Sequence, residues 1–257
     1  MRKIGIADVN QALFSEPAPH LCVHGAFRSH VLFDSAKAPI HAWRHRAERD
    51  SDLIIDGGAQ GRVLYVWRNE IEAVGARVAA GGAVVVEHGA RARLTCPEGV
   101  ELVEFAVAES QTDPSRPGGT VHVLCGSKVE RSGHDGVSVA LLAGQDCTTC
   151  ELWLHENRFA PGGPPLEVHC HSADEVIFVT SGSMIAGARA LRAGSALAVA
   201  ARTYYGFAVG PEGLSFVNFR PVASAYATAA ERVFRDELAA MQTILGLTVP
   251  SHISPGA

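Results

Sequence analysis

The stretch "GGPPLEVHCHSADEVIFVTSG", residues 162–182, decides how this chain is read. It sets two histidines and an acid inside an apolar, strand-like run, and a strand bound only for a core would not carry that polarity. Residues i and i+2 of a strand share a face, so His169 and His171 project together while Val168 and Cys170 turn the other way. Ser172, Ala173 and Asp174 suffice for a turn, after which Glu175 opens the next strand and can face the histidines across the ladder. Two imidazoles and one carboxylate from neighbouring strands make a three-point face for a divalent metal, with the opposite positions open to water, substrate or dioxygen. The bland alternative is a solvent-facing polar edge strand, which a correctly spaced acid beside an i, i+2 histidine pair disfavours.

The surrounding chain has the same strand rhythm. "RVLYVW" (62–67), "GAVVVE" (82–87), "GVSVALL" (136–142), "ELWLHENRF" (151–159) and "EVIFVT" (175–180) are short and alternate or run apolar. Gly, Pro, Asp and Ser punctuate them roughly every ten residues, the spacing of an all-β sandwich or barrel. One segment differs: 225–247 places Ala229, Val233, Leu238, Met241 and Ile244 near one helical face, which predicts a C-terminal helix packed outside the β structure. The breaker-rich "ESQTDPSRPGG", 109–119, reads as a linker between halves.

The halves resemble each other. "CPEGVELVEF" (96–105) matches "GPEGLSFVNF" (210–219) at a separation of 114, and upstream "RVLYV" (62–66) falls on "EVIFV" (175–179) at 113, with one residue inserted after Tyr205. In this register His169 maps to Asp56, His171 to Gly58, Glu175 to Arg62 and Tyr205 to Ala92. The first copy therefore keeps the framework and loses every ligand. An arginine at a ligand position repels a divalent cation, so the first copy is expected to be metal-free, with Arg62 paired to Asp56. His41 and His45 are expected to be solvated or capping residues. The expected organisation is 1–108, a degenerate β-barrel; 109–119, the linker; 120–224, the metal-binding barrel; and 225–257, the helix and tail.

Counted from Gly163 through His169, His171 and Glu175 to Gly182, the opening stretch resembles the first signature of the cupin family, G-x5-H-x-H-x3-4-E-x6-G, at every defined position. The resemblance, extended by the internal repeat, implies two tandem cupin-type jelly-roll barrels. The second cupin signature, G-x5-P-x-G-x2-H-x3-N, is only partly present: from Gly194, Ala200 stands at the proline, Arg202 at the second glycine and Tyr205 at the histidine. The family's fourth ligand is thus replaced by Tyr205. Three roles stay open for it: a phenolate ligand, a hydrogen-bond donor or acid/base beside a three-ligand metal, and an aromatic core residue. A neutral phenol is a poor ligand until deprotonated, which favours the second. Around the site, His155, Arg158 and Arg202 are candidates for substrate binding; Phe178, Phe207, Phe216 and Phe219 read as barrel filling.

The function expected from this reading is a metal-dependent cupin enzyme, first an Fe(II) dioxygenase acting on a small organic acid or ketone. Mn, Ni, Co or Zn would suit a redox-neutral isomerase, cyclase or lyase with Tyr205 as acid/base. The remaining alternative is a non-catalytic barrel that binds a small ligand. The composition excludes other classes: a net charge of −5 gives no basic face for nucleic acid, and no apolar run is long enough for a membrane span. The first residues lack a secretory core and six irregularly spaced cysteines suit reduced thiols, so a cytoplasmic location is expected. Cys147 and Cys150 form a C-x-x-C that reads as a turn leading into a strand. A homodimer would cover exposed strand edges.

Overall fold

The structure is a computed structural model that describes residues 3–8, 13–34, 40–107, 116–125, 129–132, 136–144 and 147–236. The all-β expectation is met: among the described residues the regular elements are strands, gathered into two compact units. One unit comprises 12–127 with 148–151; the other comprises 1–11, 128–147 and 152–257. Val121–Leu124 pairs with Ala83–Val86 of the first unit, and the N-terminal Ile4–Ala7 pairs with Ala196–Val199 of the second. Among the described residues no helix is long and apolar enough to cross a membrane.

Each unit is built around the same ladder. In the first, Arg62–Ala73 pairs with Val100–Val107, setting Leu64 opposite Glu104, and with Ala83–Val86, setting Arg62 opposite Val86. In the second, Glu175–Ala186 pairs with Tyr205–Arg220, setting Ile177 opposite Asn218, and with Ala196–Val199, setting Glu175 opposite Val199. These are the partners that the sequence repeat aligns. Leu53, Leu64, Val66, Ile71, Val84 and Leu102 are among the side chains of the first core, and Phe159, Ile177, Val179, Met184, Phe207 and Phe216 of the second. All of these are large or β-branched residues that fill a pleated interior.

The repeat also extends to a bulge. The second ladder slips register on either side of Gly182, whose φ is 65°; the equivalent Asn69 has φ 62°. Both types tolerate this left-handed backbone. A Cβ on Gly182 would also run into the backbone carbonyl of Gly213. Gly182→Ala is therefore expected to cost about 2 kcal/mol, seen as a thermal midpoint lowered by roughly 4–8 °C. An unchanged melt would contradict the bulge assignment.

Three expectations are corrected. The predicted C-terminal helix does not form in its described part: Ala225–Thr228 is a strand that pairs with Leu166–His171, and Arg235–Asp236 pairs with it in turn. The alanine-rich spacing mimics a helix, but Leu166–His171 offers an edge, and pairing there satisfies backbone groups on both sides. Leu238, Met241 and Ile244 lie outside the described residues. Arg62 pairs with Glu104 at 2.6 Å, while the exposed Asp56 accepts a bond from its own turn at Gly58. His45 is neither solvated nor a cap: it is 1% exposed, between Ser29 and Glu104. His41 sits on the same strand with its ring edge-on to Trp43.

Candidate metal centre

His169 and His171 end the strand Leu166–His171, and Glu175 begins Glu175–Ala186 after the short turn, as the spacing predicts. Cys170 faces away and is buried, while Val168 is exposed. The two strands are not ladder partners, however. Leu166–His171 pairs instead with Tyr205–Arg220, which sets His169 opposite Tyr205, and with Ala225–Thr228, which sets His171 opposite Tyr226. The site is assembled from two strands that each pair with Tyr205–Arg220 rather than with each other. His169, His171, Glu175 and Tyr205 are all buried there.

Each group is held in a definite way. The His169 Nδ1 is 2.7 Å from the Glu167 carbonyl, which places its proton there and leaves Nε2 with the lone pair. Burial and the adjacent His171 push the His169 pKa down to about 4, so His169 is a neutral donor at neutral pH. Glu175 is held at Oε2: Asn218 Nδ2 donates to it at 2.7 Å, and Arg220 donates to it through Nε at 3.3 Å and a terminal nitrogen at 3.1 Å. Its other oxygen, Oε1, is buried with no hydrogen-bond partner among the described residues. Burial alone would raise this carboxyl; His171, Arg220 and the hydroxyl of Tyr205 outweigh it, and the group stays below its ordinary pKa, ionised. A carboxylate oxygen left bare in a dry interior is costly unless something positive meets it.

Three aromatic rings close the space. The His169 ring lies 4.5 Å from Tyr205 and 5.0 Å from both His171 and Tyr226, centroid to centroid. His171 Nε2 is 3.8 Å from Glu175 Oε2 and accepts from Arg220 at 3.1 Å, with Ser224 near its Nδ1 at 3.5 Å.

Glu175 Oε1, which carries no hydrogen bond, and His169 Nε2, which keeps its lone pair, have the chemistry of metal donors. His171 Nε2 is engaged by Arg220 and becomes a donor only once that bond is released. The other candidates fall elsewhere. His155 is buried and its Nδ1 accepts from Trp153 at 2.8 Å. Arg158 is 45% exposed and pairs with Glu156. Arg202 is exposed with φ 59°; its guanidinium lies over Phe234, while its backbone N–H donates to the His171 carbonyl at 2.7 Å.

Arg220, Asn218 and Tyr226 were not among the sequence candidates. For the first two a signal exists: "VNFR", 217–220, puts two polar side chains at i, i+2 of an apolar strand, the same cue that exposed the histidines. Tyr226 had none, because its segment mimics a helix.

No family model matches the chain, and no curated protein does. Solved structures do. The YlbA protein of E. coli, family-model DUF861, superposes with a TM-score of 0.66 at 11% identity, over 85% of this chain and 90% of that one. The oxalate decarboxylase of Lactobacillus farciminis in its formate complex gives 0.67 at 10%, over 95% and 94%. That of Bacillus subtilis, an enzyme with Mn(II) centres, gives 0.64 at 12%, over 97% and 87%. These are cupin-fold proteins, and the chain shares their fold.

Proposed function

We propose that the protein is a metal-dependent enzyme acting on a small organic acid, with a divalent transition metal held by His169, His171 and Glu175. The observation that carries this reading is the buried, ionised Glu175 carboxylate, saturated by donors on one oxygen and bare on the other. A divalent metal there supplies Lewis acidity toward a substrate carboxylate or enolate or, as Fe(II), a place for dioxygen. Asn218 orients the Glu175 carboxylate through Oε2, the supporting role that partners of ligating groups take, while Arg220 bridges Glu175 Oε2 and His171 Nε2 and would have to release His171 to the metal. Tyr205, against His169 and close to the Glu175 carboxylate, could give or take a proton at its hydroxyl.

The reaction favoured is redox-neutral, a lyase, decarboxylase or isomerase step with Tyr205 as acid/base. The fold shared with oxalate decarboxylases, one of them with Mn(II) centres, supports a small carboxylate substrate. The second reading, an Fe(II) dioxygenase, rests on the donor set of two histidines and one carboxylate. Loading the protein in turn with Mn(II), Zn(II) and Fe(II), and incubating it with small keto, hydroxy and dicarboxylic acids with and without air, separates the two. Equal product under nitrogen supports the redox-neutral reading; turnover only with oxygen uptake supports the dioxygenase. Tyr205→Phe is expected to lower turnover by about 100-fold while leaving metal content unchanged. Equal loss of metal would instead make the phenol a ligand, and no change in either would make it a core residue.

A further inference from the structure

The first unit holds a second group of ligand-type side chains, far from the histidine pair in sequence and unlike it in chemistry. Glu87 follows the strand Ala83–Val86, and its side chain is fully buried. Val121–Leu124 pairs with that strand and brings His122 to it. The segment 148–151 of the same unit adds Thr149 and Cys150. The Glu87 carboxylate, an imidazole nitrogen of His122 and the Cys150 sulfur lie within 4.8 Å of one another. Around them the framework is tightly tied. The Thr120 N–H donates to Glu87 Oε2 at 2.9 Å, Thr149 Oγ1 donates to Oε1 at 2.5 Å, and the Gly118 N–H donates to the Thr149 carbonyl at 2.9 Å. Burial alone would raise the Glu87 carboxyl, but hydrogen bonds from Thr149, His122 and Thr120 hold it below its ordinary value.

We propose that Glu87, His122 and Cys150 form a structural zinc site, with the fourth donor falling to Cys147, three residues before Cys150 in the C-x-x-C. An anionic oxygen, an imidazole and thiolates match the preference of Zn(II). Four protein donors leave no position for substrate, which makes the site structural. Thr149 and the Thr120 N–H orient the carboxylate as outer partners of a ligand. The metal pins the 148–151 segment to the strands Ala83–Val86 and Val121–Leu124. The C-x-x-C, which by itself reads as a turn, becomes half of a metal site because sheet pairing delivers the other half.

The test uses the full chain. Protein stripped by a chelator is titrated with Co(II), and the near-ultraviolet thiolate-to-cobalt charge-transfer band is followed. The band is expected to appear, to be abolished in Cys150→Ser, to fall to about half in Cys147→Ser, and to be displaced by Zn(II). Glu87→Gln is expected to weaken Co(II) binding by at least about 10-fold. The His169→Ala, His171→Ala variant is expected to keep the band at full strength, which separates this site from the proposed active centre. No thiolate band in folded wild-type protein, or a band that survives Cys150→Ser, overturns the proposal; an undiminished band in Cys147→Ser overturns the fourth donor. Because a cysteine variant could fail to fold, the wild-type chain carries a second readout. Alkylation of Cys150 is expected to be at least ten times faster after chelation than with Zn(II) bound, and equal rates overturn the site.

Discussion

Replacing His169 and His171 together by alanine is expected to lower Mn(II) affinity by more than about 100-fold, since outer partners of metal ligands alone are worth 10–100-fold. The argument rests on what remains. Glu175 keeps its donors from Asn218 and Arg220, so the carboxylate stays oriented and charged. A single carboxylate beside a guanidinium is a poor cation site, because the arginine already neutralises it and repels the metal. The loss should therefore be near complete rather than graded. Equilibrium dialysis with elemental analysis measures it, and a double variant that keeps its full Mn(II) load would refute the ligand assignment.

The largest effect on stability is expected at Glu104, in the first unit. Its side chain is fully buried, and it accepts from His20 at 2.9 Å, His45 at 2.9 Å and Arg62 at 2.6 Å. Glu104→Ala removes the acceptor common to all three and leaves the Arg62 guanidinium, 12% exposed, beside the buried His45 imidazole. Breaking a buried pair in this way costs about 3–5 kcal/mol, a large part of the roughly 5–15 kcal/mol that holds a domain. Urea unfolding followed by the fluorescence of Trp43 and Trp67 reports it. The pH dependence has a definite sign. Burial alone would raise the Glu104 carboxyl, yet His20 and His45 hold it well below the ordinary range. A depressed carboxyl contributes stability that is fully present above its unfolded pKa of about 4.3 and is lost as pH falls through the folded value. The gap between wild type and Glu104→Gln should accordingly narrow as pH drops below about 4. A gap that widens there would contradict an ionised Glu104.

Glu104 and Arg62 also explain why the first unit lacks a counterpart of the histidine centre of the second. The repeat aligns Arg62 with Glu175 and Glu104 with Asn218, and the registers agree: Leu64 faces Glu104 where Ile177 faces Asn218. The acid has moved from one strand to the other, and a cation stands where the ligand was. One unit thus closes its buried charge with an internal ion pair, while the other leaves a carboxylate oxygen bare.

What the sequence made legible follows from local periodicity. The histidine pair is visible because i, i+2 in a strand is a spatial statement, and the repeat is visible because it preserves strand-forming residues in register. Residues 225–236 read as helical because Ala229 and Val233 have helical spacing, whereas the competing partner, the edge at His169 and His171, lies some fifty-five residues away. The same distance hid the companions of the C-x-x-C. Glu87, His122 and Cys150 stand far apart in sequence and meet only through sheet pairing, which no local pattern encodes. Arg220 was legible in principle, but a lone arginine at a strand end is usually a solvated one.

The account stands most directly on the environment of a bound metal. Mn(II) favours oxygen and nitrogen donors over thiolates, so pulsed electron paramagnetic resonance of the Mn(II)-loaded chain reports the histidine centre. The predicted result is echo modulation from two imidazole nitrogens, lost in the His169→Ala, His171→Ala variant and retained in Cys150→Ser. A spectrum of hydrated Mn(II) without nitrogen coupling, the same in wild type and double variant, would contradict it.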